Sequence, residues 1–177
     1  MLILLTLWGL GGGAAFVAAE TLTFDAAENG THFVADETPA DSDGLPAYGT
    51  EYITEGYLYP PGTINGSNGV NADGSPEFPD KVIGHWSCRG WHVGNGFKTV
   101  TGPWVANTQL FDLGKTAGEK MLVTEGYELP EVNVPIKRAI TGGTGKYAGA
   151  KGESSDTVLG FPNRAGGVNF QVELKLK

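Results

Sequence analysis

The sequence has 177 residues, enough for one domain with a hydrophobic core of useful size. Its formal net charge is −8 and it has no Lys/Arg cluster, which argues against nucleic acid and anionic membrane surfaces as partners. Cys88 is the single cysteine, so no intrachain disulfide can form and stability must rest on packing.

The first stretch, "MLILLTLWGLGGGAAFVAAE", is apolar up to Ala19 and holds no charged side chain before Glu20. Val17 and Ala19 fit the small-residue pattern before a signal-peptidase cut, which makes residues 1–19 a secretory signal peptide and residues 20–177 the mature domain. The competing reading is a membrane anchor. It is weakened by Gly9 and Gly11 to Gly13, which interrupt the run, although the leader also lacks the usual Lys or Arg near its start. The expected location is therefore extracellular, periplasmic or cell-surface, with no stable membrane insertion after cleavage.

No later stretch shows a sustained helical period. In chain order, "ETLTF" (20–24), "HFVADE" (32–37) and "EYITEGYLY" (51–59) read as strands. "KVIGHWSCRGWHV" (81–93), "KTVTGPWVANTQLF" (98–111), "EKMLVTEGYEL" (119–129) and "VPIKRAIT" (134–141) follow. The clearest alternation is "VNFQVELKLK", with Val168, Phe170, Val172, Leu174 and Leu176 on one face. About eight such runs suit a closed barrel or a sandwich. Between them, residues 60–80 are polar, glycine-rich and bounded by prolines, and read as a long mobile loop at one end of the fold. Asn29 and Asn65 each head a glycosylation acceptor triplet.

"AITGGTGKYAGAKGE" (139–153) invites a dinucleotide-loop reading. That reading needs a following helix and an acidic residue about 20 positions on within a βαβ unit. Gly149 and Gly152 break any helix there, and the remaining chain includes an alternating strand. Lys146 is followed by Tyr147 rather than Ser or Thr, so a P-loop is excluded. The stretch reads as a hairpin: "IKRAIT" runs in, Gly142 to Gly145 turn, and "KYAGAKGE" runs back.

"TGGTGKYAGAKGE" resembles the hairpin signature of the allene oxide cyclase and dirigent protein superfamily. "GNGFKTVTGPWV" (94–105) is similar to that group's glycine turn, strand and Gly-Pro-aromatic unit, and "WSCRG" (86–90) resembles the central strand of its bacterial members. The resemblance covers the chain from about residue 81 onward. It implies an all-β fold, an eight-stranded antiparallel barrel that is often oligomeric, with an apolar cavity that restricts the conformations of a hydrophobic substrate without a cofactor. The link at 106–134 and the loop at 60–80 are longer than the family pattern. The cyclases' catalytic carboxylate lies in an acidic stretch leading to a proline; "ADETPAD" (35–41) holds that place here, so Glu37 is a catalytic candidate by position alone.

The remaining candidates come from strand phase. Trp86 and Cys88 share the apolar face of their strand and Trp104 that of the next, so these three, with Tyr52 and Leu58, are expected to line a ligand cavity or the core. His85, Ser87 and Arg89 then face outward. Cys88 and His92 share a face, but about 13 Å of strand separates them, too far for a nucleophile–base pair, and without a third ligand no metal site is expected. Glu125 falls in phase with Met121, Val123 and Tyr127, which would aim a carboxylate at the apolar side as a general acid or base. A strand bulge, or pairing with Arg138, would remove that role.

Two functions follow: a cofactor-independent cyclase, isomerase or stereocontrolling protein for an unsaturated lipid-like, polyketide or phenolic molecule, or a non-catalytic extracellular module that binds a hydrophobic ligand or is purely structural. A sugar-binding surface of Trp91, Tyr57 and Tyr59 is a third option.

Overall fold

A computed structural model describes residues 20–36, 41–42 and 44–177. The leader and Glu37 lie outside the described residues. Nine strands are present: β1 (Thr21–Glu28), β2 (Val34–Ala35), β3 (Glu51–Tyr59), β4 (Gly84–His92), β5 (Val105–Asp112), β6 (Met121–Glu128), β7 (Pro135–Gly143), β8 (Gly152–Gly160) and β9 (Asn169–Leu176). From β3 to β9 every strand pairs antiparallel with the next, and β1 pairs with both β9 and β3. Eight strands thus close an antiparallel barrel, as the resemblance implies. The short β2 continues the line of β1 along β3 after a 3-10 turn at Gly30–His32.

Period-2 alternation builds this wall. On β9, Phe170, Val172, Leu174 and Leu176 are buried while Gln171 and Lys175 are exposed. On β4, Trp86, Cys88 and His92 point inward, whereas His85, Arg89 and Trp91 are exposed. The inward apolar residues form one aromatic-rich cluster inside the barrel.

The "TGGTG" segment does form a hairpin, but its return strand begins later than expected, at Gly152 rather than Lys146. The intervening turn carries Tyr147 and Ala150 into the interior cluster, where they close the end of the barrel at which β7 finishes and β8 starts. Gly145 has φ +57°, and a Cβ there would lie 2.0 Å from the Glu119 carbonyl oxygen, so the turn requires glycine at this position.

Residues 60–80 depart from expectation. They do not stand free: they form a strap across the outer face of β1 and β3. Ile64 and Val70 bury against Ala27 and Tyr59 in a second, smaller hydrophobic cluster. Asp25, buried on that outer face, accepts from the Ile64 N–H at 3.1 Å, and burial raises its pKa. Tyr59 Oη donates to the Gly69 carbonyl at 2.6 Å, and Asn169 Nδ2 donates to the Asn68 carbonyl at 2.7 Å. The strap meets its polar backbone with side chains from the barrel wall, which its own composition does not reveal.

Asn29 is also drawn into this arrangement. It is buried, its Oδ1 accepts from the Thr31 N–H, and its Nδ2 donates to the Gly74 carbonyl. Of the two acceptor triplets, only Asn65 is exposed.

Candidate functional site

The end of the barrel opposite Tyr147 is built from the last residues of β1, β4, β6 and β8 and the first of β3, β5 and β9. There the packing is incomplete, leaving a cavity of about 140 Å³. Its wall carries two carboxyl groups, Glu28 and Glu128, among aromatic rings. Phe33 stacks on Tyr52 at a ring separation of 5.5 Å; Tyr52 meets His92 at 5.3 Å and His92 meets Phe97 at 5.1 Å. Phe97 in turn meets Trp104 at 5.7 Å, and Trp104 meets Phe161 at the rim at 6.0 Å.

Glu28 follows Phe24 and Ala26 on the inward face of β1. Its Oε1 accepts from Thr54 Oγ1 at 2.7 Å and its Oε2 from the Val168 N–H at 2.7 Å. Burial raises its pKa to about 7, and the neighbouring Glu128 adds to the rise. Glu128 accepts from Asn107 Nδ2 at 2.6 Å and from Gln109 Nε2, and Asn107 Nδ2 also donates to Tyr52 Oη at 2.8 Å. Cys88 Sγ lies 3.4 Å from Tyr52 Oη, and burial holds both the thiol and the phenol protonated.

Deeper in the barrel, Arg138 is fully buried. Its Nη1 donates to the Tyr127 carbonyl at 2.9 Å and its Nη2 to the Asn107 carbonyl at 3.2 Å. Its Nε lies 3.3 Å from Asp156 Oδ2, an ion pair whose angle falls short of a hydrogen bond. Burial raises the Asp156 pKa to about 7 despite the opposing charge of Arg138.

His92 is the least satisfied group at the site. It is 1% exposed, neither ring nitrogen has a hydrogen-bond partner, and burial lowers its pKa to about 4. The indole N–H groups of Trp86 and Trp104 are likewise buried without partners. Buried polar groups are nearly always paired, which sets these three side chains of the cavity wall apart from the rest of the interior.

Of the residues singled out in the sequence, Tyr52, Trp86, Cys88 and Trp104 all line this cavity. Leu58 does not; it is packed in the core nearer the closed end of the barrel. Glu125 points the other way from expectation. The inward face of β6 is Leu122, Thr124, Gly126 and Glu128, and Glu125 is exposed on the outer wall, 3.3 Å from Thr108 Oγ1. Both faces of β6 carry apolar residues, so alternation alone does not orient it. The interior face is taken by the more polar set because Arg138 packs over Gly126, where a Cβ would come within 3.1 Å of its side chain. The extra residue at the β6–β7 register shift lies on β7, between the partners of Val123 and Thr124, and does not turn Glu125 inward.

The surface of Trp91, Tyr57 and Tyr59 does not form either, since Tyr59 is buried under the strap. Among the described residues no group of three or more His, Cys, Asp or Glu is placed to hold a metal ion. Glu28 and Glu128 were the missed residues. Phe24, Ala26 and Glu28 alternate in the sequence, so the first was recoverable; the second needed the orientation of β6.

A closed antiparallel barrel with one aromatic, carboxyl-bearing end has the fold of the allene oxide cyclase and dirigent-type barrels. Neither a protein-family model nor a curated protein matches the sequence. Among solved structures, the chain is similar to a pyocyanin demethylase, at 19% identity and a TM-score of 0.56 over 89% of this chain and 100% of the other. It is also similar to two pterocarpan synthase dirigent proteins, each at 15% identity and a TM-score of 0.61 over 89% of this chain, spanning 94% of one and 83% of the other.

Proposed function

We propose that this protein binds a small unsaturated or phenolic ring compound in the cavity and steers its cyclisation, isomerisation or coupling, with the Glu28 carboxyl carrying the proton. The observation that supports this most is the setting of Glu28. Each of its oxygens is fixed by one donor at the wall of an aromatic cavity, and its pKa of about 7 keeps both protonation states populated at neutral pH. Such a group gives or takes a proton with little bias. The surrounding rings exclude water and limit the poses a substrate can adopt. A cavity of about 150 Å³ accepts a benzene-sized guest, which matches the 140 Å³ here to a single ring. The partnerless indole N–H groups favour an oxygen substituent on that ring. Barrels of the same fold are named for acting on pyocyanin and for pterocarpan synthesis, which is in keeping with a ring-shaped substrate.

Export belongs to the same reading: residues 1–19 are removed and the barrel works outside the cytoplasm, so N-terminal sequencing of secreted protein starts at Glu20.

The test combines native mass spectrometry for a co-purified ligand with titration of ring compounds followed by tryptophan fluorescence, since Trp86 and Trp104 line the cavity. Glu28→Gln should still bind the ligand while turnover falls about 100-fold or more. Unchanged turnover in that variant would remove Glu28 from the chemistry. A bound ligand that wild-type protein never converts would make the barrel a binding module.

A further inference from the structure

Among the described residues, the charged and titratable groups turned into the barrel are Glu28 on β1, Tyr52 on β3, Cys88 and His92 on β4, Glu128 on β6, Arg138 on β7, Asp156 on β8 and, at the plugged end, Tyr147. Only Arg138 among them is a permanent cation, and it is fully engaged. Asp156 is its ion-pair partner, and its two terminal nitrogens are held by the Tyr127 and Asn107 carbonyls. Glu28 and Glu128 are left with neutral donors: a hydroxyl and a backbone N–H for the first, two side-chain amides for the second. Neither forms an ion pair among the described residues, yet both sit on the cavity wall.

A pair of buried carboxyls without a cation between them is a costly arrangement, because each charged form loses its hydration with no opposite charge to offset the loss. The same cavity is lined by the rings of Phe33, Tyr52, Phe97, Trp104 and Phe161, and aromatic π faces carry negative potential. The two carboxyls and the ring faces of this wall favour positive charge. Its partnerless donors among the described residues are the indole N–H groups of Trp86 and Trp104 and the ring N–H of His92, which is neutral in its apolar setting and adds no charge.

We propose that the cavity selects a compact organic cation: a single ring whose positive charge is delocalised or carried on an N-alkyl group, as in an N-alkylpyridinium. The ligand supplies the countercharge that Glu28 and Glu128 lack, while its edges pack between the aromatic faces. This deepens the ring-binding reading above and rests on it.

Three probes of one ring each decide the matter, measured by calorimetry on the full chain at pH 8: N-methylpyridinium, the neutral and nearly isosteric toluene, and the anionic benzoate. The expected result is that N-methylpyridinium binds about ten-fold or more tighter than toluene, with benzoate weakest. In Glu128→Gln the preference for N-methylpyridinium over toluene should shrink to about three-fold or less. Toluene affinity should stay near wild type, which also shows that the variant cavity is intact. Equal binding of toluene and N-methylpyridinium, or tighter binding of benzoate, overturns the cation preference and leaves ring binding standing. Binding of none of the three overturns both.

Discussion

At the scale of single residues, Glu28, Asp156 and His92 tie the interior to pH in opposing directions. The Glu28 pKa rises from 4.5 to about 7 on folding, so the stability it contributes is complete below pH 4.5 and is lost as pH climbs through 7. Asp156, raised from 3.8 to about 7, acts the same way. His92 is lowered from 6.5 to about 4, so its contribution is present above pH 6.5 and is lost as pH falls through 4. Between pH 4.5 and 6.5 the folded chain holds two carboxyl protons where the unfolded chain holds one imidazolium proton, so stability declines toward pH 7. Replacing Glu28 by Gln removes the ionisable group and keeps the shape. The melting temperature of Glu28→Gln relative to wild type should therefore move in the variant's favour by several degrees between pH 5 and pH 8. A difference independent of pH would show that Glu28 ionises as freely in the barrel as in water. Glu125→Gln, on the outer wall, should leave both the pH profile and ligand binding unchanged.

At the scale of elements, the strap at 60–80 carries the sharpest expectation. Its glycines and polar residues suggest a freely cleaved loop, whereas Val70 is 0% exposed and five side chains, Asp25, Asn29, Tyr57, Tyr59 and Asn169, hold its backbone. Limited proteolysis of the wild-type protein should spare this segment. Asp25→Ala combined with Tyr59→Phe leaves the Ile64 N–H without a partner, at about 1–3 kcal/mol, and takes from the Gly69 carbonyl one of its two donors, the Glu77 N–H remaining. The pair should open the strap to cleavage while the barrel still melts in one transition. Rapid cleavage of wild type would show that these contacts do not hold the strap. This segment also shows where the sequence runs out as a guide. Alternation identified β3, β4 and β9 and the inward residues Tyr52, Trp86 and Cys88, because one face of each strand is more apolar. It gave β5 the wrong phase: Trp104 reaches the cavity from just before the strand, while the inward face of β5 is Val105, Asn107, Gln109 and Phe111 and Ala106 faces outward. It failed on β6, where the interior is lined by Thr124, Glu128 and the Arg138 side chain and is no more apolar than the outside. It failed on the strap because a polar segment can be buried when distant side chains satisfy it, and the partners of residues 64–74 lie at positions 25, 29, 57, 59 and 169.

At the scale of the molecule, the two ends of the barrel divide the work. One is plugged by Tyr147 and Ala150 from the "TGGTG" turn; the other is left open around Glu28, His92 and Glu128. The glycine signature thus belongs to the plugged end, and the cavity lies at the far end of the same strands. Ligand bound only to the folded state should raise the unfolding free energy by about 2.7 kcal/mol at a concentration 100 times its dissociation constant. A thermal-shift series against N-methylpyridinium should follow that logarithmic dependence.

The pairing of β1 with β9 sets Glu20 beside Leu176, whose N–H donates to the Glu20 carbonyl at 2.9 Å. The order in which the strands are synthesised is therefore separable from the order in which they sit around the barrel. A short Gly/Ser linker from Lys177 to Glu20, with new termini opened in the exposed turn at 115–120, gives a rearranged chain with every strand contact intact. That permuted protein should fold to the same barrel and keep the wild-type preference among ring ligands. Its soluble expression and calorimetric binding profile would show that the cavity depends on the closed ring of strands and not on which strand comes first.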